Sequence, residues 1–329
     1  MKIVVLANKE RQSQVFKKEH IDSLRTFGNV VLNEDIEGPD EQAAMDLIKD
    51  AEIAITSWNC PKMTLSILEN APDLKLILHA AGSVKGIVSD ELWAMGIRVS
   101  GAAAALGKGV AETALGLTIT SLKNVWNLSN VTRYGGWNSQ NDTVREIYDV
   151  TIGVIGAGYA GRHYIKLLQN FDVEILLYDP TLDTDECKLL GAKKVDLNTL
   201  MKNCDVVSIH APSIPATHHL INSEKLAIMK DRAVLINTAR GTIIDENALI
   251  AELKLGRISA CIDVTDPEPP SDSNELRSLP NVILTPHIAG SVANGKKRIG
   301  DMIVSEFKSY LSDGTLQYEV KQKSISTIA

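Results

Sequence analysis

Cysteine is scarce in this chain. Cys60, Cys187, Cys204 and Cys261 are its whole supply, scattered and without a Cys-x-x-Cys pair. That argues against a disulfide framework or a cysteine-built zinc site and fits reduced thiols. An excess of basic charge is also missing: 34 Lys and Arg stand against 41 Asp and Glu, a net charge of -7. The electrostatic footprint of a nucleic-acid binder is therefore absent. Long hydrophobic runs are lacking too. The opening run Ile3–Ala7 meets charge at Lys9 and Glu10, too soon for a signal peptide, and Lys108 and Glu112 break the alanine-rich middle before it reaches the length of a membrane span. The expectation is a cytoplasmic protein with no metal site and no nucleic-acid or membrane partner.

What is present is room and rhythm. The 329 residues suffice for two domains. Strand-like apolar runs fall at 2–7, 29–33, 52–57, 75–79 and 97–99, separated by turns or helix-periodic stretches. A second series begins at Thr151, with runs near 151–155, 173–178, 205–209, 233–237, 259–262 and 282–284. Such alternation predicts α/β architecture with parallel sheets. Between the series, periodicity predicts one helix over roughly Gly109–Val131, then a polar, aromatic loop from Arg133-Tyr134-Gly135-Gly136-Trp137-Asn138 to about Asp149. Another amphipathic helix is predicted over Ser291–Leu311, and the polar tail from Gln317 is expected to be mobile.

The second series opens on Gly156-Ala157-Gly158-Tyr159-Ala160-Gly161. Alone, a Gly-x-Gly-x-x-Gly match is weak evidence. Here a buried strand, Thr151–Ile155, precedes it and a helical stretch follows, the context a dinucleotide site needs. Gly156 permits the tight turn, Gly158 lets backbone approach a pyrophosphate, and Gly161 lets helix and strand pack closely. The amides of Tyr159 and Ala160 then face the phosphates. Asp179 ends the next strand eighteen residues beyond Gly161, where an acid binds the ribose hydroxyls. Its charge would repel a 2′-phosphate, so the cofactor is read as NAD.

Three later strand ends carry chemistry: Arg240 in Asn237-Thr238-Ala239-Arg240-Gly241, Glu268 in Asp266-Pro267-Glu268-Pro269, and His287 in Thr285-Pro286-His287. Ligands of open α/β sheets bind at carboxyl ends of strands. A guanidinium there offers a fork for a carboxylate, and a histidine with a carboxylate partner can move a proton beside a hydride. Singly, each has a plainer reading: a surface ion pair, loop decoration, a hydrogen-bonded core histidine. Three together on one nucleotide domain make three such coincidences improbable. Of the other histidines, His210 falls near the cofactor, His79 reads as a core residue, and His218-His219 reads as a solvated loop pair. Trp126 and Trp137 read as interface packing.

With these residues in place, the chain resembles the D-isomer-specific 2-hydroxyacid dehydrogenases over nearly its whole length. The resemblance implies two Rossmann-like domains, with a flavodoxin-like substrate domain split over 1–103 and 288–329 around an NAD-binding domain at 104–287. It implies that Arg240 binds the substrate carboxylate and polarises the 2-keto group, that His287 is the acid/base, and that Glu268 is its partner. It further implies that Asp263 holds the nicotinamide carboxamide, and that Thr238, Ala239, Arg240, and His287 to Gly290 add cofactor contacts. Ala81 and Gly82 match the turn whose amides hold the substrate carboxylate. A homodimer formed through the Gly109–Val131 region is implied as well. Two departures stand out. Val84 replaces the usual Asp or Asn of the Ala81-Gly82 turn. Trp58 stands where the family's phosphoglycerate enzymes carry arginine, which, with no regulatory domain expected, predicts a small unphosphorylated 2-ketoacid with an uncharged side chain. Glu268, where formate dehydrogenases carry Gln, argues against that reaction. The competing reading is an NAD(H)-sensing binding protein of the co-repressor type on the same scaffold; NADH consumption with a panel of 2-ketoacids separates the two.

Overall fold

Most of the short apolar runs become strands buried on both faces, as parallel sheets covered by helices require; the edge strands from the 29–33 and 282–284 runs are only partly buried. A computed structural model describes residues 1–137 and 141–328. Asn138, the last residue of the expected Arg133–Asn138 stretch, lies outside the described residues. The chain divides into two compact units, 1–106 with 291–328 and 107–290, so the second is inserted into the first.

In unit 1 the parallel strands are β1 (Lys2–Val5), β2 (Asn29–Leu32), β3 (Ile53–Thr56), β4 (Leu76–His79) and β5 (Arg98–Gly101), in the order β5-β4-β3-β1-β2. Alternate residues serve opposite faces. Val4, Ala54, Ile77 and Val99 join one core, and Ile3, Val5, Ile53, Ile55, Leu76 and Leu78 join the other. The tail corrects an expectation. Instead of a mobile segment, Glu319–Val320 pairs antiparallel with β5. Arg98 donates to both Glu319 carboxylate oxygens at 2.7 and 3.1 Å, and buried Glu306 accepts the amides of Gln317 and Tyr318 at 3.0 and 3.1 Å. Polar composition hid this because the partners lie more than two hundred residues away or on another element.

Among the described residues unit 2 holds seven parallel strands: β6 (Val150–Ile155), β7 (Val173–Tyr178), β8 (Lys193–Lys194), β9 (Val206–Ile209), β10 (Val234–Asn237), β11 (Ser259–Ile262) and β12 (Val282–Leu284). Their order is β12-β11-β10-β9-β6-β7-β8. The order reverses between β6 and β9, and ligands of such sheets bind at the carboxyl ends beside the reversal. The helix expected over Gly109–Val131 is two helices, Ala103–Leu122 and Val125–Arg133. Asn124 breaks it, with φ 53° in the left-handed region that Asn tolerates better than most residues. Near the C-terminus the helix is Lys297–Asp313, preceded by a 3₁₀ turn over Ala293–Lys296. Among the described residues no helix is long and apolar enough to cross a membrane.

Candidate active site

The glycine turn follows β6 directly. Gly156 has φ +92°, and a Cβ there would lie 2.7 Å from the Ala211 backbone. At Gly161 a Cβ would lie 2.1 Å from the Gly156 carbonyl oxygen, so only glycine lets the helix Tyr159–Leu168 start this close to the strand. Gly158 differs: nothing lies within 4 Å of where its Cβ would be. One glycine facing open space at a helix N-terminus, between two glycines that face backbone, is the cradle a pyrophosphate fits. Gly107 packs behind it, with the Ala160 nitrogen 3.0 Å from an added Cβ. Asp179, just past β7, accepts the Ala157 amide at 2.7 Å through one oxygen, and the Thr181 amide and hydroxyl at 2.9 and 2.6 Å through the other. It therefore ties the glycine turn to the end of β7 and presents a negative charge there.

His210, just past β9, is buried beneath this turn. Its Nε2 pairs with Ser208 Oγ at 2.9 Å, and burial pushes its pKa down to about 4, so it is neutral near pH 7. Its Nδ1 and the Thr238 hydroxyl are buried without a protein partner among the described residues. Both lie just past the carboxyl ends of β9 and β10, where the sheet receives a ligand.

The turn after β10 is built by Asn237, whose buried side chain accepts from the Ala239 amide at 3.0 Å and donates to the Arg240 carbonyl at 2.9 Å. Gly241 closes the turn, since a Cβ there would lie 2.1 Å from the Thr265 carbonyl. Arg240 is exposed; its Nη1 donates to the Ala239 carbonyl at 2.6 Å, and no carboxylate reaches ion-pair distance among the described residues. In the neighbouring loops, His287 Nδ1 and Glu268 Oε1 are 2.5 Å apart. His287 has φ 53°, and its amide donates to the Asp263 carbonyl at 2.9 Å. The Asp263 carboxylate accepts from Thr285 Oγ1 at 2.6 Å, the Ile288 amide at 2.9 Å and the Ala289 amide at 2.8 Å. Three of its roughly four acceptor positions are thus occupied in shaping the histidine loop, which leaves room for one further donor such as an amide. Gly290 follows with nothing within 4 Å of an added Cβ. The spacing of motifs did not reveal Glu246, which braces the acid loop by accepting from the Asp266 amide at 3.3 Å and Asn274 Nδ2 at 2.6 Å.

Unit 1 carries the remaining candidates at the carboxyl ends of β3 and β4. Among the described residues the amides of Ala81 and Gly82 have no protein acceptor, while the Ala81 carbonyl accepts from Ala102 at 3.1 Å. Val84 is buried and would meet a Cβ on Gly101 at 3.1 Å, so packing replaces the polar group expected there. His79 pairs with Thr56 Oγ1 at 2.9 Å, and burial lowers its pKa to about 4: a core histidine. Trp58 is half-buried, but its surroundings are not uncharged. Arg11 Cζ lies 5.8 Å and Lys296 Nζ 6.0 Å from its ring centre. Two cations thus stand beside the indole that the sequence offered alone. Both cations come from other parts of the chain, one near each end, where no local pattern links them to the tryptophan.

The chain is similar to known proteins over most of its length. A family model described as "D-isomer specific 2-hydroxyacid dehydrogenase, NAD binding domain" matches residues 115–289. A D-3-phosphoglycerate dehydrogenase of Methanocaldococcus jannaschii is 34% identical over 294 residues, 89% of this chain; the chain spans only 56% of that relative's length. A hydroxypyruvate reductase of Thermotoga maritima is 34% identical over 266 residues, 80% of this chain and 85% of the relative. A solved acyclic imino acid reductase (Bsp5), in complex with NADPH and D-Arg, superposes with a TM-score of 0.78 at 26% identity, covering 98% of this chain and 100% of that one.

Proposed function

Because the chain belongs to the D-isomer-specific 2-hydroxyacid dehydrogenase family, we propose that it interconverts a small unphosphorylated 2-ketoacid and the corresponding D-2-hydroxy acid. The observation that carries this reading is the His287–Glu268 pair at 2.5 Å, in loops that follow β12 and β11, the next two strands in the sheet beyond β10, which presents Arg240. NAD(H), when bound, supplies or accepts the hydride. The chain's own residues do the rest. A carboxylate at Glu268 can only accept, so it holds one proton on His287 Nδ1; the imidazolium, carrying a second proton on Nε2, gives that second proton to the developing alkoxide and is left neutral. Arg240, with donors unspent, holds the substrate carboxylate and draws charge onto the keto oxygen. Ala81, Gly82 and Trp58 are proposed as substrate-binding residues on unit 1. Gly156, Gly158, Tyr159, Ala160, Gly161, Asp179, His210, Thr238, Ala239, Asp263 and Gly290 are proposed for the cofactor. NADH consumption with pyruvate, hydroxypyruvate, phenylpyruvate and 2-ketoglutarate tests the activity; silence across the panel would reject it.

Asp179 bears on cofactor choice. Its carboxylate should disfavour a 2′-phosphate, so kcat/KM should favour NADH over NADPH. In Asp179→Ser that preference should narrow by roughly tenfold, the size of one modest like-charge contact. Loss of the Ala157 tether should raise KM for NADH as well. An unaltered enzyme that prefers NADPH would sink this assignment.

The assembly we propose is a homodimer. No residue of the helix Val125–Arg133 is buried, and beyond it Tyr134 and Trp137 are 86% and 92% exposed. Large apolar side chains left this exposed along one stretch of chain suit an interaction surface. Light scattering at micromolar concentration should give about twice 35.8 kDa; the single-chain mass would reject the dimer.

A further inference from the structure

Trp58 follows β3, and β3 lies beside β1, the pair at which the strand order of unit 1 reverses. Open α/β sheets take ligands at such a point. The helix Lys9–Val15 after β1 places Arg11 and Gln14 there, and the turn Ala293–Lys296 adds Lys296. Arg11 Nη1 and Lys296 Nζ donate to the same Gln14 Oε1, at 2.9 and 2.7 Å. Both cations also stand over the indole of Trp58. Two positive groups thus converge on one neutral oxygen and one aromatic face. Neither reaches ion-pair distance of a carboxylate among the described residues. Burial lowers the Lys296 pKa first and Arg11 lowers it further, with Glu10 opposing, so the like charges do repel. Glu10 Oε1 is itself engaged by Gln14 Nε2 at 2.7 Å. The adjacent lysine behaves differently: Lys297 turns to the carbonyls of Ser13 and Phe16 at 2.5 and 2.8 Å, an ordinary structural use. A guanidinium and an ammonium held on a half-buried aromatic base, with most of their donors unspent, form a preorganised receptor for an anion.

We propose that Arg11, Gln14 and Lys296, held over Trp58, form an anion subsite for a second, non-reacting anionic group of the substrate, a carboxylate or a phosphate. This rests on the dehydrogenase reading above and replaces the expected uncharged substrate side chain with a charged one.

The test compares kcat/KM for pyruvate and 2-ketobutyrate with that for oxaloacetate, 2-ketoglutarate and phosphohydroxypyruvate. At least one doubly anionic class should be preferred, and Arg11→Gln and Lys296→Gln should each lower its kcat/KM roughly 10- to 100-fold, chiefly through KM, the loss expected for a charge-assisted hydrogen bond. Lys297→Gln should leave the ratio between substrates within about twofold. If the dicarboxylates win, the group is a carboxylate. A win for phosphohydroxypyruvate makes it a phosphate, which keeps the subsite and retires the unphosphorylated substrate. A preference for monoanions, or a ratio untouched by both substitutions, overturns the subsite while leaving the dehydrogenase intact. If no 2-ketoacid consumes NADH, the dehydrogenase reading falls. Calorimetric binding of 2-ketoglutarate and phosphohydroxypyruvate to the NAD-loaded protein then decides the subsite: binding lost in Arg11→Gln and Lys296→Gln supports it, and no binding to the unaltered protein, or binding that both substitutions leave intact, overturns it.

Discussion

Replacing His287 with alanine should lower kcat by roughly 10²–10⁴-fold, the contribution of a positioned general acid, while KM for the 2-ketoacid changes only a few-fold. The reasoning starts from what holds the ring. Glu268 engages Nδ1, so one nitrogen is committed to the carboxylate and the other is left for the substrate. Proton donation develops only in the transition state, so its loss falls on kcat. The backbone complicates the choice of variant. His287 sits at φ 53°, where alanine is strained, so His287→Asn, whose residue tolerates this region, separates lost chemistry from a distorted loop. Both variants should lose activity alike. Glu268→Gln should cost less, because an amide oxygen can still accept from Nδ1. Stopped-flow and steady-state rates read all three. A His287→Asn enzyme within threefold of the unaltered kcat would remove the histidine from the proton transfer.

How much of this was legible in the chain depends on how local each signal is. The strands were readable because a strand buried on both faces must be a short apolar run, and Val150–Ile155 or Leu76–His79 satisfy that without reference to anything distant. The glycine turn was readable because its three glycines, the strand before them and the helix after them follow one another without a break in the chain. Arg240, Glu268 and His287 stood out because each follows such a run. The missed features share another cause. The short strand Glu319–Val320 forms because β5 offers a free edge and Arg98 a counter-charge, both set by the fold. Lys193–Lys194 pairs with β7 though nothing in its composition suggests a strand. The break at Asn124 is one residue's backbone in a long periodic stretch, which periodicity does not register. At Trp58 the indole was visible, but the cations that give it meaning come from residues 11 and 296 and meet it only in three dimensions.

Arg240→Ala should reduce kcat/KM by roughly 10³–10⁵-fold, combining a lost charge-assisted carboxylate bond with the loss of a donor to developing oxyanion charge. The two parts separate in the constants. The carboxylate is present in ground and transition states alike, so its share appears in KM, whereas polarisation of the keto oxygen grows along the reaction and appears in kcat. Arg240→Lys should recover little. One ammonium cannot reproduce a planar fork that spans a carboxylate and a neighbouring carbonyl. Stability should hardly change, because the turn is built by the Asn237 side chain and by the absence of a side chain at Gly241, and among the described residues the exposed guanidinium donates only to the Ala239 carbonyl. Asn237→Ala is the informative contrast. It should lower the melting temperature and the activity together, by releasing the turn while leaving the arginine in the sequence. Added guanidinium ion should restore part of the activity of Arg240→Ala and none of that of Asn237→Ala. An Arg240→Ala enzyme that kept more than a tenth of kcat/KM would show that the guanidinium neither binds the carboxylate nor assists the keto group.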